Sequence, residues 1–330
     1  MMKNTSFEKR IFQIDSTGKF NDLAVEIFRY QYENNRVYRE FADHLKIRIQ
    51  KVESPEQIPF LPIGFFKTQK VLTGQDQAHA HFESSSATGT GISRHFYSDL
   101  NIYHQSLMQG FRHFYGDPSQ YCILALLPSY LERSGSSLVY MVQQLIDASG
   151  HTGSGFYLHN LDDLAEKLQI LDRQGEKNLL IGVSFALLDL VGKRQFDLKN
   201  TIVMETGGMK GRRRELVREE LHAELCRGFG VKQIHSEYGM TELFSQAYSK
   251  GGGKFFTPPW MKVLIRDTND PLTCQGHGKT GGINVIDLAN LHSCCFIATQ
   301  DLGRNHADGS FEVLGRFDHS DVRGCSLLVA

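Results

Sequence analysis

Apolar positions change rhythm twice along this chain. Across residues 21–45, Leu23, Ile27, Tyr30, Val37, Phe41 and Leu45 recur among polar residues at helical spacings, which predicts one helical face turned toward a core. Pro55, Pro59 and Pro62 then forbid a continuing helix and require extended chain. From about residue 80 short apolar runs alternate with helical patterns. The runs at 121–127, 178–183, 201–204 and 232–235, mostly rich in Val, Ile or Leu, read as buried parallel strands. Helical patterns lie between them at 137–148, 161–171 and 215–227. In the last, Leu216, Leu221 and Leu225 line one side, and Gly228 and Gly230 stand where a helix C-cap belongs. After residue 250 the helical patterns fade, and strands joined by Gly-rich turns predict a second, antiparallel sheet. The pattern implies an α/β fold with a mostly parallel sheet, in three stretches: helical 1–80, an α/β core over 81–250 and a β-rich 251–330.

Composition narrows the function. A length of 330 residues allows one large domain or two ordinary ones, and 41% hydrophobic with 22% charged residues is globular. The 36 basic and 37 acidic residues nearly cancel, so the basic surplus of a nucleic-acid binder is missing. No stretch approaches the roughly 20 apolar residues that span a bilayer. The N-terminus carries no apolar export segment. Six scattered cysteines make no disulfide framework, and with no export signal they predict reduced thiols in a cytoplasmic protein.

Four short motifs carry chemistry. FESSSATGTGISRH, residues 82–95, is a run of small hydroxyl residues and glycines. Its backbone N–H groups could wrap a polyphosphate, although it lacks the Gly-Lys-Ser/Thr ending of a P-loop. HSEYGMTE, residues 235–242, follows a predicted strand. It offers an aromatic ring (Tyr238), a turn glycine (Gly239), a hydroxyl (Thr241) and a carboxylate (Glu242) at a strand's carboxyl end, where open α/β sheets bind ligands. ATQDLGR and GRFDHSDVRG supply Asp301, an acceptor for ribose hydroxyls, and Arg316, a donor fork. Each alone has a plain structural explanation: a flexible connection, a β–α turn with Thr241 capping the next helix, a surface ion pair. Cys294-Cys295, Cys122, Cys226 and Cys274 have no metal-ligand spacing and read as small buried hydrophobes. Lys210, Arg212, Arg213 and Arg214 read as a solvated face, with a phosphate clamp the alternative.

In this order the four motifs resemble the core series of the adenylate-forming superfamily. FNDLAVEIFRYQYENN, FLPIGFFKTQKV and METGGMKGRRREL are similar to the acyl-protein synthetases of bacterial bioluminescence operons, the LuxE family, over nearly the whole chain. The resemblance implies the large N-terminal domain of the adenylate-forming fold. It also implies ATP and Mg²⁺, a fatty acid activated as its adenylate, and transfer to a protein cysteine that feeds a reductase resembling acyl-CoA reductases. Carried over by position, Ser84, Ser85, Thr88 and Gly89 would hold the ATP phosphates. Gly207 and Gly208 would flank the adenine, with Tyr238 against its ring and Gly239 in the turn. Thr241 would contact the α-phosphate, Glu242 the Mg²⁺, and Asp301 and Arg316 the ribose. Ser86 and Ala87 replace a usual glycine and threonine, and Gln300 a usual glycine. The chain stops fourteen residues after Arg316, so the mobile C-terminal domain of most adenylate-forming enzymes is expected to be absent. Cys325 stands where the family carries its acyl acceptor, with Cys294 and Cys295 the next candidates. A phenylacetate–CoA-ligase-like acyl- or aryl-CoA ligase and a non-catalytic nucleotide- or acyl-binding regulatory subunit remain the alternatives.

Overall fold

The computed structural model describes residues 2–74, 78, 80–84, 91–128, 135–158, 160–207 and 216–316. Its helices are α1 (Met2–Ile11), α2 (Thr17–Asn34), α3 (Arg36–His44), α4 (Phe65–Thr68), α5 (Asn101–Tyr115), α6 (Ser137–Ser149), α7 (Leu161–Arg173), α8 (Ser184–Lys193) and α9 (Arg218–Phe229). Its strands are β1 (Leu61–Pro62), β2 (Ala80–Glu83), β3 (Arg94–Tyr97), β4 (Cys122–Leu126), β5 (Gly155–Tyr157), β6 (Asn178–Val183), β7 (Thr201–Thr206), β8 (His235–Tyr238), β9 (Ala247–Ser249), β10 (Lys254–Phe255), β11 (Met261–Arg266), β12 (Thr280–Asp287), β13 (Phe296–Asn305) and β14 (Phe311–Arg316).

The chain divides into two compact units. One comprises Met1–Ala80, Phe96–Ser98 and Pro259–Ala330, the other His81–His95 and Asp99–Pro258. The helical N-terminal stretch is thus one unit with the late strands.

The middle unit is built on a sheet of order β5-β4-β6-β7-β8-β9. β4 through β8 are parallel, with α6, α7, α8 and α9 on the crossovers, and β9 runs antiparallel to β8. Every residue of β4 and β6 is buried, which is why these strands read as unbroken apolar runs. α9 ends as its glycines require. Gly230 adopts φ 69° and its N–H bonds the Cys226 carbonyl at 2.9 Å. At Gly228 an added Cβ would stand 2.4 Å from Val191 Cβ, so α8 and α9 approach through a position with no side chain.

Two expectations are corrected here. The run at 232–235 is not the strand: Lys232 and Gln233 are exposed, and pairing begins at His235 and ends at Tyr238. No helix follows this strand for Thr241 to cap, since the chain turns back into β9.

The unit of the chain ends is an antiparallel sheet β14-β13-β12-β11, with β1 added parallel to β13. The single apolar stripe expected over residues 21–45 is two helices. Asn35, at φ −115° and ψ 108°, ends α2 and caps α3 by accepting from the Tyr38 N–H. This break resets the helical phase, so α3 buries Tyr38 and Ala42 while Val37, Phe41 and Leu45 stay half-buried. Against them Phe296 meets Phe28, Tyr38 and Phe60 at ring separations of 6.2, 6.0 and 6.3 Å. Buried Gln31 donates to the carbonyls of Asn290, Leu291 and Ser293, and accepts from the Cys295 N–H at 2.9 Å. Among the described residues no helix is long and apolar enough to cross a membrane.

Candidate active site

The carboxyl ends of β6, β7 and β8 gather the polar chemistry of the middle unit. Parallel pairing sets Glu205 beside Ser236 and Thr206 beside Glu237. Because side chains alternate along a strand, these two pairs face opposite sides of the sheet. On one side Arg218, at the start of α9, donates to Glu205 at 2.6 Å and to Ser236 at 3.3 Å. His222, one turn on, lies 3.6 Å from Glu205. The Ser184 hydroxyl, at the start of α8, donates to the Glu205 carboxylate at 3.2 Å and to the Gly207 carbonyl at 2.8 Å. Burial raises the Glu205 carboxyl, but His222, Arg218 and Ser236 hold it below the ordinary carboxylate range.

On the opposite side no cation among the described residues is bonded to Glu237. The Thr206 hydroxyl donates to Glu237, and burial with the nearby Glu205 charge pushes the Glu237 carboxyl up to about 7 against that bond. The same carboxyl closes on the next turn, where an added Cβ on Gly239 would stand 2.4 Å from Glu237 Oε1. Gly207 turns β7 into its loop at φ 69°, a conformation that favours glycine.

The loop after β8 is also held from β3. Buried His95 donates from Nδ1 to the Thr241 carbonyl at 2.8 Å, and its ring lies 4.5 Å from that of Phe244. Burial pushes His95 down to about 4, so it is neutral at pH 7 and carries its proton on Nδ1. Thr241 itself is half-buried and Glu242 is buried. Tyr238 packs its ring 5.9 Å from that of Phe255. Ser84 opens the 82–95 loop: its N–H donates to the Ser93 carbonyl at 3.0 Å, and its hydroxyl accepts from the Ser93 N–H at 2.9 Å.

Ser84, Gly207, Tyr238, Gly239, Thr241 and Glu242 therefore belong to the middle unit, and Asp301 and Arg316 to the unit of the chain ends. There they are register partners across β13 and β14, with Arg316 Nε 3.6 Å from Asp301 Oδ1. Ser85, Thr88, Gly89, Gly208 and Cys325 lie outside the described residues. The motif strings contain His95, Glu205, Thr206 and Glu237 without marking any of them as a site residue, and Arg218 lies outside the strings. The polar tetrapeptide HSEY, buried throughout, was the one available signal, because four consecutive buried polar-bearing residues need partners.

Cys294 and Cys295 are corrected as acyl-acceptor candidates. Both are buried, and burial pushes the Cys294 thiol up to about 12 and Cys295 well above its ordinary value, so neither supplies a thiolate.

A family model described as acyl-protein synthetase, LuxE, matches residues 13–330. No curated protein matches the sequence. Among solved structures, ATP-bound MatB from Rhodopseudomonas palustris aligns at TM-score 0.55 and 16% identity, over 74% of this chain and 49% of that one. The luciferase-like enzyme of the nonluminescent mealworm Zophobas morio aligns at TM-score 0.51 and 17% identity, over 75% and 59%. An open conformation of 2-hydroxyisobutyryl-CoA ligase aligns at TM-score 0.64 and 10% identity, over 92% and 71%. The chain thus spans about half the length of MatB. The fold is that of the adenylate-forming enzymes' large N-terminal domain, and by the match across residues 13–330 the chain belongs to the LuxE acyl-protein synthetase family.

Proposed function

We propose that this protein activates a fatty acid with ATP and passes the acyl group to a cysteine thiol. The carrying observation is the motif loop Tyr238 to Glu242, at the carboxyl end of a parallel strand in a chain of the acyl-protein synthetase family. A fatty-acid carboxylate oxygen attacks the α-phosphorus of ATP, pyrophosphate leaves, and an acyl-adenylate forms. Two anions meet in this step, so donors that favour the developing charge lower its barrier. Thr241 serves the α-phosphate, Ser84 with Ser85, Thr88 and Gly89 the outer phosphates, and Gly207, Gly208 and Tyr238 the adenine. Asp301 accepts from the ribose hydroxyls, with Arg316 opposite it in the same ladder.

The donor set suits Mg²⁺ carried on phosphates. Among the described residues no cluster of three or more His, Cys, Asp or Glu forms a metal cage, and Mg²⁺ is ordinarily held by one or two carboxylates plus substrate phosphates. Glu242 would be that carboxylate, and the ion would supply charge neutralisation at the phosphates.

In the second step a thiolate attacks the acyl carbon of the mixed anhydride. A thioester forms and AMP leaves with the bonding electrons. We assign Cys325 as this thiol, with a reductase resembling acyl-CoA reductases as the next acceptor. Fatty-acid-driven exchange of pyrophosphate into ATP tests the first step, and absence of exchange with every carboxylate tried overturns the reading. Mass spectrometry after incubation with ATP and mixed fatty acids tests the second. Cys325→Ala should keep adenylate formation and lose the hydroxylamine-sensitive acyl adduct. CoA-dependent release of AMP without protein acylation would instead mark a CoA ligase.

A further inference from the structure

The last residue of β7 and the penultimate residue of β8 turn their side chains toward each other. Thr206 and Glu237 are register partners in a parallel ladder, and each stands immediately before a segment of the proposed nucleotide site, Gly207 after one and Tyr238-Gly239 after the other. One carboxyl oxygen of Glu237 accepts from the Thr206 hydroxyl, while the other lies over Gly239, 2.4 Å from where a Cβ would stand. We propose that Glu237 is a positioning residue that joins the Gly207 turn to the Gly239 turn through its carboxyl, and so sets the spacing of the two walls around the nucleotide. This rests on the reading of these turns as the nucleotide site.

The surroundings dictate the state in which the join works. Facing Glu237 are Thr206 from β7, Tyr248 opposite it on β9 and Tyr115 from α5, whose hydroxyl is 3.1 Å from His235 Nδ1, and the Glu205 charge acts on it through the sheet. Burial pushes both phenols well upward and His235 down to about 4, so all three are neutral at pH 7. Arg218 and His222 contact Glu205 on the other side of the sheet. Lys250 lies over the Tyr115 ring, 5.5 Å from its centroid. Among the described residues no cation is bonded to Glu237, so an ionised Glu237 would be a buried anion without an ion pair and the neutral acid is favoured. Above its pKa near 7 the second charge strains the join, so spacing and nucleotide affinity respond to pH.

The test compares wild type, Glu237→Gln and Glu237→Ala as full chains between pH 6 and 8.5. Exchange kinetics resolve KM for ATP from kcat, and hydrogen exchange, corrected for intrinsic rates, follows peptides covering residues 201–207 and 235–242. Wild type should show KM for ATP rising about fivefold as pH passes through 7, the worth of roughly one neutral hydrogen bond. Both peptides should lose protection over the same range. Glu237→Gln, a permanent stand-in for the neutral acid, should flatten both profiles, and Glu237→Ala should raise KM and exchange at every pH. A Gln variant with the wild-type inflection, or an Ala variant with wild-type KM and protection, overturns the inference. Absence of exchange activity in wild type would fall on the proposed function instead, and the hydrogen-exchange profiles still decide the join.

Discussion

Glu205 and Glu237 sit one strand apart, both buried, and their environments push them in opposite directions. For Glu205 the folded pKa is depressed, so its contribution to stability is present above the unfolded carboxylate range and is lost as pH falls through the folded value. For Glu237 the folded state holds a proton that the unfolded state has released above about 4.3. Stability therefore falls as pH rises from there to about 7 and is level beyond. Glu237→Gln should accordingly melt above wild type at pH 8 and by a smaller margin at pH 5, and equal margins in thermal scans would refute this. Removing a partner from the other cluster acts differently. Arg218→Ala leaves the Glu205 carboxylate buried at 7% side-chain exposure without its guanidinium partner, a change that costs about 3–5 kcal/mol in comparable buried pairs. Urea unfolding should show a loss of that order, and adding Glu205→Gln to Arg218→Ala should recover part of it. No recovery would mean that Arg218 acts through its packing over Phe255, 5.0 Å from the guanidinium carbon, and not through charge.

At the scale of elements, the strand that carries the motif loop is the one the hydrophobic pattern misplaced. β4, β6 and β7 were legible because burial on both faces selects apolar residues, and α6, α7 and α9 because of their 3.6-residue period and, for α9, its glycine stop. β8 reads His-Ser-Glu-Tyr, and its burial rests on cross-strand polar partners that no single-sequence pattern reveals. The same holds for α3, whose phase depends on the Asn35 break, and for His95, which closes the 82–95 loop in sequence yet reaches Thr241 only through the fold. The motif residues were legible as types and order; what positions them was not. His95 makes this testable. Asn can place an amide donor where Nδ1 stands, whereas Phe keeps the stacking on Phe244 and loses the donor. His95→Phe should keep near-native melting and lose about tenfold in exchange turnover, the order expected when one hydrogen bond to a site loop is removed. His95→Asn should recover much of that turnover. Equal turnover in both variants would show that the ring, and not the donor, holds Thr241.

At the scale of the whole molecule, the two units use the chain differently. The middle unit draws on an almost continuous stretch, 81–258, interrupted only by Phe96–Ser98. Its parallel sheet, its crossover helices and the buried Glu205 and Glu237 clusters all close within that stretch. The other unit needs both chain ends. β1 pairs with β13, with Leu61 opposite Ile297, and the aromatic cluster of Phe28, Tyr38 and Phe60 closes on Phe296. The three carbonyls that satisfy Gln31 also come from residues 290–293. A fragment of residues 1–80 would expose that aromatic surface and leave Gln31 without those partners. Isolated helices of such length are marginal in water without packing. A fragment of residues 81–258, about 180 residues, is within the size that supports its own core. Expressed alone, 81–258 should unfold in one cooperative thermal transition with far-ultraviolet dichroism of mixed α/β type. The 1–80 fragment should give low helicity and no cooperative transition, and mixing it with a fragment of residues 259–330 should restore both by complementation. A 1–80 fragment that melts cooperatively by itself would show that its helices are stable without the late strands, contrary to the packing at Phe296 and Gln31.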